Sequence, residues 1–157
     1  MPTKQASESR NTANKSDNVW TDEERAAMQE SARERKAASR RSKGDDPAEG
    51  ARDLKESIAK MPADDRAMAE GIHALVTNAA PSLLPKTYYG MPAYAKDGKV
   101  ICFFQAKSKF KVRYSTFGFQ PEARLDDGAM WPIAFAVTEL TPTVEAQLTK
   151  LVKKAAG

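Results

Sequence analysis

Ala93-Tyr94-Ala95-Lys96-Asp97-Gly98-Lys99-Val100-Ile101-Cys102-Phe103-Phe104 is the stretch that decides the fold. Asp-Gly tolerates positive φ at both central positions of a type I′ turn, so Lys96-Asp97-Gly98-Lys99 predicts a tight hairpin. Tyr94 then pairs antiparallel with a strand running from Val100 to Ala106. The uninterrupted apolar run from Val100 to Phe104 predicts a central strand covered on both faces. Downstream, Lys107, Lys109, Lys111 and Arg113 alternate with Ser108, Phe110, Val112 and Tyr114. After a turn over 106–108, a strand over 109–114 carries cations on one face and mostly apolar groups on the other. Lys109, Lys111 and Arg113 thereby form an electropositive ladder on a half-covered sheet. Lysines on an exposed strand also discourage edge-to-edge pairing, an equally good reason for their placement.

On the amino-terminal side, Thr87-Tyr88-Tyr89 is β-prone, Gly90-Met91-Pro92 breaks the run, and Ala93 resumes it. Helices precede these strands. Thr21-Asp22-Glu23-Glu24 is a capping box, and the helix it opens runs to about residue 41. Only Trp20 and Met28 are large apolar residues there, which predicts a solvated helical arm. Asp46-Pro47 repeats the start signal, and Ala51, Leu54, Ile58 and Met61 then line one face. Gly50 weakens that helix by about 1 kcal/mol relative to alanine. Pro62 ends it and opens another, with Met68, Ile72, Leu75, Val76 and Ala79 on one face, before Pro81 stops the chain again. Asp64 and Asp65 compensate the dipole of its first turn.

Beyond the ladder, Gln120-Pro121 closes the strand run, a short piece carries Leu125, and Asp126-Asp127-Gly128 makes a turn. A strand over 131–137 follows, with Pro132 marking an edge or bend. Thr141-Pro142 opens a final helix lined by Val144, Leu148, Leu151, Val152 and Ala155. The fold class is therefore α+β: two or three N-terminal helices, a central antiparallel β-meander of about five strands, and a C-terminal helix packed on the sheet. Residues 1–18 read as a disordered tail, 19–43 as a charged helical arm, 44–52 as linker and helix start, and 53–157 as the α+β domain.

A chain of 157 residues suits one domain with an arm. Its 25 Lys and Arg against 21 Asp and Glu give a formal charge of +4, a mild preference for anionic partners. Cys102 is the only cysteine and lies within an apolar run, which excludes an intrachain disulfide and points to a reducing, cytoplasmic compartment. That run is far shorter than the roughly 20 residues of a membrane-spanning helix, so no membrane partner is expected. One cysteine with one histidine makes no structural zinc site, and neither a glycine-rich phosphate loop nor a nucleophile elbow occurs, so no cofactor is expected.

Pro85-Lys86-Thr87-Tyr88-Tyr89-Gly90-Met91-Pro92-Ala93-Tyr94, followed by Asp97-Gly98 and the Val100 to Phe104 run, resembles the YdhG-like bacterial family of unknown function. The match extends from about Asp53 to Val152 and leaves the first 50 or so residues outside it. It implies a small α+β fold. One branch, described as a frataxin-like intracellular iron chaperone, implies binding of a metal rather than catalysis. Carboxylates for such a role are confined to Glu122, Asp126 and Asp127, which an ordinary acidic turn explains as well; Met91 and His73 are the softer candidates.

Three functions follow from these residues. The first is a non-catalytic domain binding an anionic small molecule or protein segment, its site walled by Tyr88, Tyr89, Met91, Tyr94, Lys109, Lys111 and Arg113. Nucleic acid is the second anionic option, with Tyr114, Phe117 and Phe119 as rings, although apolar residues of a half-covered sheet point inward, away from the cations. The third is a small acid/base enzyme with Lys86 beside Tyr88 and Tyr89 in a desolvated pocket, where packing of strand-edge aromatics is the plainer account. Trp20 and Trp131-Pro132 are candidates for a pocket wall or a homodimer seam.

Overall fold

The computed structural model describes residues 20–40 and 47–157. The expected disordered tail over 1–18 and the part of the expected linker up to the Asp46 cap lie outside the described residues. Four helices and five strands run in the order α1 (Asp22–Arg40), α2 (Pro47–Ala59), α3 (Ala63–Ala79), β1 (Leu84–Tyr88), β2 (Met91–Lys96), β3 (Lys99–Gln105), β4 (Ser115–Phe119), β5 (Ala134–Val137) and α4 (Pro142–Ala156). The strands form one antiparallel sheet in sequential order, a meander with β3 at its centre. This is the expected α+β architecture.

Local chemistry accounts for most boundaries. At the start of α1, the Glu24 amide donates to Thr21 Oγ1 and the Thr21 amide to Glu24 Oε2, each at 3.1 Å, which closes the capping box. Thr21's counterpart in α4 is Thr141, whose hydroxyl accepts from the Val144 amide. Asp97 and Gly98 adopt φ of 52° and 78°, the positive values that the Asp-Gly turn requires. A second tight hairpin joins β1 to β2 through Tyr89 and Gly90, at φ 51° and 77°. Tyrosine is an uncommon choice for such a turn, which is why Gly90-Met91-Pro92 reads from sequence only as an interruption. Strand β2 in fact begins at Met91 and carries Pro92 opposite Thr87.

Tyr94, Cys102, Phe104, Phe117 and Phe119 project from one sheet face into a core completed by Leu54, Ile58, Ile72, Val76, Leu148 and Val152 of the helices. Helix α4 packs chiefly on α3 and also reaches β3. Its last turn is tied down from outside: Lys96 Nζ donates to the Ala156 carbonyl at 2.7 Å, and the Arg124 amide to that of Ala155. Phe103 points to the opposite face and is only half-buried, so β3 is less completely covered there than an unbroken apolar run predicts.

The largest departure lies at 107–114. No strand forms there, and β4 begins only at Ser115. Instead the Lys109 amide donates to the Ala106 carbonyl, the Val112 amide to that of Lys107, and Lys111 takes a left-handed φ of 53°. Alternation stabilises a strand only if the apolar set has a core to enter. Here Val112 and Tyr114 remain 45% and 37% exposed, so a ladder face would be uncompensated. The expected strand over 131–137 is likewise shorter: Trp131 precedes it, and only Ala134–Val137 pairs with β4 at the sheet edge.

Candidate functional site

With the strand absent, the cations of 107–113 diverge, and each lysine meets carboxylates. Lys107 Nζ lies 2.6 Å from Asp64 Oδ2 and 2.6 Å from Asp65 Oδ1, while the Ser108 amide donates to Asp65 Oδ2 at 3.3 Å. Asp64 and Asp65 thus anchor the loop to α3 as well as serving the helix dipole. Burial pushes the Asp65 carboxyl up, but hydrogen bonds from Lys107 and Ser108 outweigh it and hold the group below the ordinary range. Lys111 Nζ pairs with Glu23 Oε1 at 2.6 Å, and Lys109 Nζ with Glu30 Oε2 at 3.3 Å. The Arg113 guanidinium stacks over the Tyr114 ring at 5.2 Å.

Glu23, Glu30 and Glu34 share one face of α1, and Glu34 completes the picture. Its two carboxylate oxygens accept from consecutive backbone amides, Tyr89 N at 3.1 Å and Gly90 N at 3.0 Å. Positive φ at both residues turns these N–H groups toward the same side, away from the sheet ladder. The Gly90 carbonyl faces the other way and accepts from Ser57 Oγ of α2 at 2.8 Å, which fixes the turn's orientation. Besides allowing this φ, glycine at position 90 leaves room for the Glu30 carboxylate and Lys109 Nζ, which a Cβ there would push aside. Two amides and one ammonium therefore converge on a pair of carboxylates. Lys109 is mostly buried, so its charge is screened less than that of a free surface lysine.

Beside this turn lies a cleft of about 530 Å³ between α1, α2 and β1–β2, lined among others by Glu34, Ser57, Lys86, Met91 and Lys109. Tyr88 and Tyr89 do not line it, so the Lys86–tyrosine combination is not gathered into one pocket. Their rings pack edge to face at 4.7 Å, and Tyr88 leans on Phe103. Burial and then Tyr89 raise the Tyr88 phenol above its ordinary value. Met91 and Tyr94 are core residues. The Tyr94 phenol, 1% exposed and held protonated by burial, shares a hydrogen bond with Nδ1 of His73 at 3.0 Å. Burial and nearby Lys55 lower the His73 pKa and so favour the neutral ring. Cys102 is buried and its thiol is pushed up to about 12.

Of the seven residues predicted for a ligand wall, the structure thus gathers Tyr89, through its backbone amide, with Lys109. Lys111 of the loop meets α1 about two turns away from Glu30, at Glu23; Arg113 and Tyr88 face other neighbours, Tyr94 contributes packing, and the buried Met91 borders the adjoining cleft. Glu122, Asp126 and Asp127 are exposed, and among the described residues no three His, Cys, Asp or Glu side chains are grouped to hold a metal ion. Sequence reasoning missed Glu23, Glu30 and Glu34; their spacing on one face of α1, with the small Ala27 and Ser31 between them, was the available signal. No family model matches the chain, and no curated protein or solved structure matches it either. Among the described residues no helix is long and apolar enough to cross a membrane.

Proposed function

We propose that this chain is a non-catalytic binding module that takes the carboxylates of an anionic small molecule or acidic protein segment at the Tyr89–Gly90 turn and Lys109. The observation that carries this is Glu34, seated across two adjacent amides with Glu30 on the neighbouring ammonium. It stands where a ligand's carboxylate goes. Charge-assisted hydrogen bonds of this kind are each worth about 1.5–3 kcal/mol, enough to orient a small anion. The site belongs to a turn and a loop rather than to a basic sheet face. Phe117 and Phe119 are buried, which favours a carboxylate over stacked bases. The YdhG-like resemblance of residues 89–94 is part of the same proposal, since it covers this turn.

Glutarate added to the isotope-labelled full chain tests it. In the E30A/E34A variant the Tyr89 and Gly90 amide resonances shift and saturate, whereas in the wild-type chain they hold still at the same concentrations. If neither amide responds in the variant, the proposal is rejected.

A further inference from the structure

Deepening that proposed function, and resting on it, we infer that the site's partner is an acidic helix supplied in trans, and that α1 is a built-in competitor which closes the groove in its absence. Three docking points lie along one helix face: Lys111 for Glu23, Lys109 for Glu30, and the Tyr89–Gly90 amides for Glu34. At 1.5 Å per residue they span about 16 Å. This is a ruler for a helix rather than for a single small anion. Ala27 and Ser31, the buried side chains among the described residues of α1, face the protein between these points and allow close approach.

The fit of α1 is electrically complete and apolarly poor. Among the described residues of α1 no large side chain is buried, and its exposed Lys111–Glu23 pair contributes only about 0–1 kcal/mol. Meanwhile the adjoining cleft has accessible apolar walls, Met61 and Leu84 among them, and α1 offers it Arg33. A helix with the same three acids and a large apolar residue at that position gains burial that α1 forgoes, at about 25 cal/mol per Å². Such a partner displaces α1 without disturbing the core, because the sheet and the other three helices carry the buried cluster.

Fluorescein-labelled peptides spanning residues 20–40, one carrying Arg33→Leu and one carrying Arg33→Leu with all three glutamates changed to alanine, provide the test. Fluorescence anisotropy is read against the wild-type full chain and its E23A/E30A/E34A variant. The R33L peptide is expected to bind the variant about tenfold more tightly than the wild type, because the tethered competitor has lost its high effective concentration. The alanine peptide should bind neither. Equal affinity for both chains, or binding by neither, overturns the inference. Glutarate shifts without peptide binding leave the carboxylate site standing and remove the helical partner; silence in both experiments removes both. Should the variant misfold, wild-type spectra with excess R33L peptide decide instead: α1 resonances must move to those of a released helix. Concentration-dependent dimerisation through exchanged α1 helices makes a second copy the occupant and overturns the heterologous partner.

Discussion

Gly50 occupies the first turn of α2, where helix propensity alone marks it as a fault of about 1 kcal/mol. In the fold it is a contact point: a Cβ there would clash with the Pro85 carbonyl oxygen of β1. Alanine should therefore reverse the sign that propensity gives, and Gly50→Ala is expected to destabilise by about 1–3 kcal/mol through forced separation of helix and strand. Urea unfolding measures this; a gain in stability would show that α2 and β1 have room to spare. Gly90 makes the same point from the other side. A glycine after two tyrosines reads as a break, yet its backbone supplies one amide of the candidate site. Single-residue roles of this kind depend on what lies opposite in space, and no local pattern records that.

Among the elements, the segment 107–114 shows where periodicity misleads. Its alternation of cations with apolar groups satisfies the strand template, but the partners of its lysines sit on α1 and α3, remote in sequence. Ion pairs to two separate helices hold it as a loop. The Asp65–Lys107–Ser108 contact carries the α3 side of that restraint, with Asp65 only 2% exposed. Asp65→Asn is expected to cost about 1–3 kcal/mol at neutral pH, the usual worth of hydrogen bonds to a charged group. Because the native carboxyl is held below its ordinary value, the folded state binds fewer protons than the unfolded one. The wild-type advantage is then complete above about pH 4 and disappears as pH falls through the native pKa. Denaturation midpoints of both chains from neutral pH to pH 3 check this; a constant gap would show that ionisation of Asp65 contributes nothing.

At the level of the whole molecule, stability is layered. Strands β2 to β4 with α2, α3 and α4 share one apolar cluster, while α1 is attached chiefly by carboxylates. Salt should separate the layers, since screening lengths shrink from about 14 Å to about 4 Å between 0.05 and 0.5 M. Hydrogen exchange at Tyr89, Gly90 and the α1 amides is expected to quicken over that range, with Cys102 and Phe104 unchanged. Uniform behaviour would mean that α1 is part of the cooperative core. The sequence by itself determined the α+β class, the Asp97-Gly98 hairpin, the helix starts at Thr21, Pro62 and Thr141, and the apolar stripes of α2, α3 and α4. Those features rest on interactions within a few residues, where spacing and side-chain type suffice. Only the tertiary structure decided that the lysines of 107–113 form no ladder and that Tyr89-Gly90 presents two amides to α1. Charges act through space on whatever the fold brings near, so their roles follow from packing and not from position along the chain.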